Sequence, residues 1–505
     1  MKILYYNWVD YLDPERRGGG VTVYQRNIIE ALDGIPDVDA WFLSSGISYD
    51  LNAGAPRWAP VRHGPKEHRA RRFEIVNSEV LAPSHFSFRN PSQISAPATV
   101  AQFVDFVETN GPFDVIHFNN LEGLPAEVLA TKARWPHTRF ALSLHNYYPF
   151  CPQVNLWFNE TAHCDYFDEG RACRDCLEKH VDERLVRKAN AVAFLLKRNG
   201  VAPGTLLFDI AFGRMLRNSA RAYRLYGRAA SAVRRRLRLP DREQAAEGSS
   251  RGLKRLAPLA SQFALRRQTF IDMINKNCDV VLGVSDRVSQ IACKYGIDPA
   301  IVRTSYIATR QHEKFLATQP KPSLVGEDGI LTIGYLGYMR RDKGFFFLID
   351  ALSALPKSLA ARIRLVVAAP DGGEKAMKAL SDLSDHLAEV DYSDGYSHDD
   401  LDAILANVDL GVVPVLWEDN LPQVAIEMHA RHIPLLTSDR GGARELGNSP
   451  AFVFPAGDTE AFGDRIASIL DGQVDIGAYW RNARAPVSIP DHMQQLLAIY
   501  RSGAA

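Results

Sequence analysis

Short apolar runs ending in polar residues recur along this chain, and most are followed by a turn and an amphipathic stretch. MKILYYNWV opens the series and leads into the glycine-rich RRGGGVTVY and the helical pattern QRNIIEAL. FDVIHFNN, RFALSLHNYY, CDVVLGVS, ILTIGYLGY, RIRLVVAAP, DLGVVPV and IPLLTS continue it. Runs so uniformly apolar suit parallel strands buried on both faces, and their alternation with helical patterns predicts an α/β architecture. Functional residues in such sheets collect at the carboxyl ends of strands, so the polar tips of these runs are the places to search.

The pattern breaks near residues 306–330, where QPKPSLVGEDG is rich in proline, glycine and charge and reads as a linker. This divides the chain into an N-terminal Rossmann-like domain over 1–310, a second over 325–482, and a terminal helix within 483–505 (DHMQQLLAIYRSGAA), expected to pack back on the first domain. At 505 residues the chain is long enough for two such cores.

Residues 181–270 carry no strand pattern and are expected to form a mainly helical insertion. They hold 20 Lys/Arg against 6 Asp/Glu, an excess of 14 positive charges that the rest of the neutral chain balances. Arg214, Arg217, Arg221, Arg224 and Arg228 recur at steps of three and four, which places them on one helical face. Such a face is either a solvated basic surface or, over 205–240, a surface for anionic lipid headgroups or a phosphate-bearing acceptor. Nothing else in the chain supports nucleic-acid binding.

No apolar run reaches 18 residues, and the N-terminus reads as a strand rather than a signal peptide. With six cysteines in the chain, the expected location is cytoplasmic, peripheral on the inner membrane face if the basic segment binds lipid. Four of the six, Cys151, Cys164, Cys173 and Cys176, fall in the loop 150–180 and end in C-x2-C. This spacing suits a tetrahedral structural zinc; a disulfide or redox pair, or four thiols packed in a loop, are the alternatives.

The densest chemistry follows DLGVVPV. WEDNLPQVAIE places Glu418 and Asp419 before a helix and Glu427 on it, with Pro422 suited to the first turn. Glu427 could accept two hydrogen bonds from a vicinal diol such as a ribose, and Asp419 could hold another hydroxylated group. The N–H groups near Asn420 and Leu421 suit anionic or sugar oxygens. The plainer alternative is a helix start whose acids favour its dipole. In SDRGGARE, Gly441 and Gly442 would let the backbone approach a phosphate or sugar. In GYLGYMRRDKG, Gly337 ends a strand, and Arg340, Arg341 and Lys343 supply the positive charge that a diphosphate leaving group requires, unless they are simply a solvated loop.

These segments, in this order, resemble family 4 retaining glycosyltransferases. GYLGYMRRDKG, WEDNLPQVAIE and LLTSDRGGARE are similar to that family's C-terminal domain, and GGGVTVYQRNIIEAL, FDVIHFNN, SLHNYYPFCP and CDVVLGVSDRV to its N-terminal domain. The resemblance implies a GT-B fold, two facing Rossmann-like domains, here with the basic helical insertion in the N-terminal half. It implies transfer of a sugar from a nucleotide diphosphate donor to an acceptor hydroxyl with retention, without a catalytic metal. It assigns Glu427 to the donor ribose, Asp419 in preference to its neighbour Glu418 to the donor sugar, because the spacing and the DNLP context fit, and Lys343 to the diphosphate. Gly19 and Gly20 match the loop that approaches the diphosphate from the other domain, and His145 a histidine near the reaction centre. Tyr338 stands where the family has arginine, so Arg340 or Arg341 would have to replace that charge. The expected acceptor is a glycan, in particular a lipid-linked oligosaccharide of cell-surface polysaccharide assembly. A nucleotide-sugar epimerase, a phosphorylase and a non-catalytic GT-B scaffold are the alternatives.

Overall fold

The computed structural model describes residues 1–15, 17–52, 54–87, 90–176, 182–208, 210 and 250–502. The arginines from Arg214 to Arg228 lie outside the described residues, as does most of the proposed surface over 205–240. By its internal contacts the chain divides into two compact units. The first comprises 1–143, 147–154 and 165–281; the second comprises 144–146, 155–164 and 282–505.

In the first unit, six strands run in the order β6 (Arg139–Leu144), β5 (Val115–Phe118), β1 (Lys2–Tyr6), β2 (Asp39–Ser48), β4 (Arg72–Val76) and β3 (Arg57–Pro60). All pairings are parallel except that of β3 with β4. β1, β5 and β6 are the strands expected from MKILYY, FDVIHF and RFALSL, and Ile3, Leu4, Ile116, Phe118 and Phe140 are wholly buried. β2 and β4 carry serines and charges among their apolar positions, which hid them from an apolar-run reading. Among those polar groups, Ser48 donates to Glu74 across the two strands.

The loop after β1 leads to the helix Gly19–Asp33, so the glycine run lies at the helix start itself rather than in a separate loop. Gly19 has φ +54°, a conformation that favours glycine, and a Cβ on Gly18 would lie 1.9 Å from Thr22 Oγ1. Just upstream, Arg17 grips Asp13 through two hydrogen bonds of 3.0 and 2.7 Å, which fixes the entry to the glycines. The expected helical character of the insertion is met at both of its ends, by Glu183–Arg198 and Ser250–Asn277. No helix among the described residues is long and apolar enough to cross a membrane.

The short strands β7 (Trp157–Phe158) and β8 (Ala162–His163) pair antiparallel, and β9 (Val280–Gly283) and β10 (Val302–Thr304) follow in the chain. The second unit is built on six parallel strands in the order β13 (Glu389–Asp394), β12 (Ile363–Ala369), β11 (Leu331–Leu336), β14 (Leu410–Val413), β15 (Leu435–Ser438) and β16 (Val453–Phe454). The central strands β11, β14 and β15 are buried at every position, as strands covered on both faces must be. Their core includes Ile333, Leu348, Leu365, Val412, Leu436 and Phe462. Each such side chain contributes about 1.5–3 kcal/mol of transfer free energy. The order places β11 beside β14, and the loops leaving their carboxyl ends are those singled out in the sequence.

Residues 282–310 group with this second unit for a visible reason. The backbone N–H groups of Asp286 and Arg287 donate to Glu445 at 2.9 and 2.7 Å, and the Ser285 hydroxyl donates to the Asn420 carbonyl at 2.8 Å.

Candidate active site

Gly337 ends β11 with φ +126°, and the chain then loops through Tyr338–Lys343 before the helix Phe345–Ser353. The turn into that helix can only be glycine. Gly344 has φ +76°, and a Cβ there would lie 1.8 Å from the Pro414 carbonyl oxygen, on the loop leaving β14. No side chain caps the helix start, which lies beside Lys343. The local dipole and the ammonium therefore present positive charge at one place.

Lys343 Nζ donates to Asp419 Oδ2 at 2.5 Å and lies 5.0 Å from the centre of the Trp417 ring. This contact joins the loops after β11 and β14, 76 residues apart in sequence. The other cations of the loop do not converge on it. Arg340 turns onto Asp342 through two hydrogen bonds of 2.9 Å, with most of its side chain in solvent. Arg341 and Tyr338 are exposed.

Asn420 Nδ2 donates to the Leu144 carbonyl at 3.0 Å, which ties the loop to the residue before His145. Burial, with a smaller contribution from nearby His492, lowers the His145 pKa to about 3, so this imidazole is neutral at physiological pH. Gly441 and Gly442 pack directly under the same loop. Gly441 has φ +70° and a Cβ there would lie 2.2 Å from the Asp419 carbonyl oxygen, while Gly442 N–H donates to that oxygen at 2.9 Å. The glycine pair thus supports the acidic loop by close backbone approach.

Helix Gln423–His429 begins one residue after Pro422, so Asn420 and Leu421 belong to the loop and not to the first helical turn. Glu427 is buried on this helix. Its Oε2 accepts from the Tyr396 hydroxyl at 3.1 Å, and its Oε1 lies 3.4 Å from His398 Nδ1. Burial raises its pKa, while His398, the Tyr396 hydrogen bond and Arg431 act in the opposite direction.

Glu418 has a different environment. Its Oε2 accepts from Arg287 Nε and Gly441 N–H, both at 2.9 Å, and its Oε1 accepts from Arg287 Nη2 at 2.5 Å and Arg440 Nη1 at 3.2 Å. Burial alone would raise this carboxyl, but the Arg287 and Gly441 hydrogen bonds prevail and hold it at about 2.

The structure therefore gathers Lys343, Asp419, Asn420, Gly441 and Gly442 in the loops leaving β11, β14 and β15, with Glu427 on the helix that follows β14. Gly19 and Gly20 belong to the first unit. Four participants were not expected from the sequence. Arg287 and Glu445 act across more than a hundred residues of chain, and no local pattern announces such pairs. Tyr396 and His398 sit beyond β13, a strand too polar to stand out as an apolar run.

Cys151, Cys164, Cys173 and Cys176 form no disulfide, and the Cys176 thiol donates to Gln153 Oε1 at 2.9 Å. Among the described residues no three His, Cys, Asp or Glu side chains are grouped to hold a metal ion.

Residues 330–472, the core of the second unit, match the family model described as Glycosyl transferases group 1. No curated protein matches the chain by sequence. Among solved structures, Anabaena HepE in complex with UDP superposes with a TM-score of 0.53 at 14% identity, covering 99% of this chain and 100% of that one. Sucrose-phosphate synthase from Thermosynechococcus elongatus gives 0.54 at 14% identity, covering 99% and 98%. The lipopolysaccharide outer core galactosyltransferase WaaB in its apo form gives 0.52 at 11% identity, covering 99% and 100%. At these identities the likeness establishes the fold, which is GT-B, with two Rossmann-like units.

Proposed function

We propose that the protein is a retaining glycosyltransferase that moves a sugar from a nucleoside diphosphate donor to an acceptor hydroxyl. The observation that carries this reading is the Lys343–Asp419 contact at the carboxyl ends of β11 and β14, with Glu427 buried on the next helix. It falls inside the segment matching a glycosyltransferase family model, and HepE was solved with UDP bound.

Each residue has a task in this reading. Lys343 leaves Asp419 for the diphosphate when the donor enters, and with the start of the Phe345–Ser353 helix it neutralises charge on the departing group. Placing fixed positive charge where negative charge develops is the largest effect such a site can exert. Asp419, released by Lys343, accepts from donor sugar hydroxyls. Glu427 accepts from the ribose diol in place of Tyr396 and His398. His145, neutral, lies toward the reaction centre and can exchange hydrogen bonds with the sugar without adding charge. Retention follows if the acceptor attacks on the face the diphosphate leaves and a phosphate oxygen takes its proton. We further propose a glycan acceptor, in particular a lipid-linked oligosaccharide handled by an enzyme peripheral to the cytoplasmic membrane face.

The test is release of nucleoside diphosphate from a panel of UDP-, GDP- and ADP-sugars with a membrane lipid extract as acceptor source. Release from one donor, dependent on the extract and lost in Glu427→Ala, supports the reading. Conversion of a donor with no acceptor present would favour an epimerase. Failure of every donor to bind or turn over would overturn it.

A further inference from the structure

Glu418 is the acid that the sequence ranks behind its neighbour Asp419, and its surroundings point to a separate task. A carboxylate offers about four lone-pair positions. At Glu418 four donors are in place: Arg287 Nε and Nη2, Arg440 Nη1 and the Gly441 N–H. The side chain is 1% exposed, so neither room nor acceptor capacity remains for a sugar hydroxyl.

The four donors come from two segments distant in sequence. Arg287 belongs to the first turn of the helix Asp286–Lys294, and Arg440 and Gly441 to the turn after β15. The same segments are tied a second time. Glu445 accepts the backbone N–H groups of Asp286 and Arg287 and, at 2.6 Å, the Tyr306 hydroxyl. Ser285 Oγ donates to the Asn420 carbonyl, and Gly442 N–H donates to the Asp419 carbonyl. Glu418 is the side chain through which the helix start and the glycine turn both grip the loop that carries Asp419 and Asn420. Arg287 contributes two of the four bonds, in the forked geometry that fixes direction as well as distance.

We propose that Arg287 is a positioning residue for the donor site. Its guanidinium locks Glu418, and through it holds the backbone of Asp419 and Asn420 where the Asp419 carboxylate meets Lys343 and the donor sugar. Arg287 itself touches no substrate. The inference rests on the donor reading above. Lysine cannot replace it, because one ammonium cannot occupy both oxygens in the forked arrangement.

The experiment uses the full chain with Arg287→Ala, Arg287→Lys, Glu418→Gln and the double variant Arg287→Ala/Glu418→Gln. Calorimetry with UDP, GDP and ADP gives nucleotide affinity, and nucleoside diphosphate release from the donor sugar that wild type accepts gives KM and kcat. Because the lock acts on the loop contacting the sugar, kcat/KM for the sugar nucleotide is expected to fall about 10- to 100-fold while nucleoside diphosphate affinity changes only a few-fold. Arg287→Lys should share the defect. The double variant should be no worse than the worse single variant, as for two ends of one contact. Added guanidinium ion should restore part of the activity of Arg287→Ala and none of that of Glu418→Gln. Circular dichroism identifies any variant that has simply failed to fold, and Arg287→Lys and Glu418→Gln keep the test decisive if Arg287→Ala does so. Folded variants with wild-type kcat/KM, or effects that multiply in the double variant, would overturn the proposal. If wild type neither binds nor turns over any of the three nucleotide classes, the donor reading fails and this inference with it. If wild type is active and the variants are unaffected, only this inference fails.

Discussion

Glu418 and Glu427 are the same residue type, nine positions apart, both buried, and their chemistry runs in opposite directions. Glu418 is surrounded by two guanidinium groups and a backbone N–H and titrates at about 2. Glu427 meets a phenol and an imidazole, and burial lifts its pKa above 4.5. A carboxylate saturated by guanidinium and backbone donors is a structural tie, whereas one held by a single phenol hydrogen bond and an imidazole 3.4 Å away can trade them for ligand hydroxyls. Asp419, one residue beyond Glu418, takes Lys343 as its partner, the group that on the proposed reading moves when a diphosphate arrives.

The sharpest way to break this contrast is at Lys343. Lys343→Met should lower kcat for nucleoside diphosphate release by about 100- to 1000-fold, the scale of losing a preorganised charge at a leaving group. A wild-type kcat in this variant would remove the leaving-group role. Next in size, Glu427→Ala should weaken nucleoside diphosphate binding by about 10- to 100-fold, as expected for charge-assisted hydrogen bonds to a diol. Calorimetry reads this directly, and it separates Glu427 from Glu418, whose removal should act mainly on the sugar and on stability.

Stability against pH distinguishes the two acids without any ligand. A depressed carboxyl contributes stability that is present above its unfolded value and lost as pH falls through its folded value. For Glu418 that window runs from 4.5 down to about 2. At neutral pH Glu418→Gln should therefore lose about 3 kcal/mol, and the deficit should shrink as pH falls through the window. A raised carboxyl behaves in the opposite sense: its relative stability is present below 4.5 and declines as pH rises through the lifted value. Glu427→Gln should therefore gain on wild type as pH rises from 4 toward neutrality. Thermal unfolding at a series of pH values checks both signs, and two variants moving in the same direction would erase the contrast.

Much of this was legible in the sequence, and the limit has a physical form. Apolar runs located β1, β5, β6, β11, β12, β14 and β15 because strands covered on both faces need little else. β2, β4 and β13 escaped because their positions carry serines, tyrosines and acids. Strand-end position and the family resemblance singled out Asp419, Glu427, Gly441 and Gly442, and the structure sets them in the loops after β14 and β15 and on the helix between. Partners are another matter. Nothing local in SDRV indicates that Arg287 reaches Glu418 across 131 residues, or that Arg340 turns to its neighbour Asp342 instead of joining Lys343. Cysteine spacing raised a closed zinc site, but spacing counts residues and not directions, and in the structure Cys176 hydrogen-bonds Gln153.

The smallest expected effect sharpens the contrast from the neutral side. Tyr396→Phe removes one hydrogen bond to Glu427 and should change donor KM by no more than about 3- to 10-fold, with kcat nearly unchanged. A loss as large as that of Glu427→Ala would mean that Tyr396 itself binds the donor.

On the proposed reading the second unit grips a nucleotide sugar through Glu427. Calorimetric titration of wild type and Glu427→Ala with UDP, GDP and ADP tests it most directly. Saturable one-to-one binding of at least one nucleotide by wild type, weakened about 10- to 100-fold in a folded Glu427→Ala variant, is the expected result. Equal binding by both proteins, or none by wild type, would contradict it.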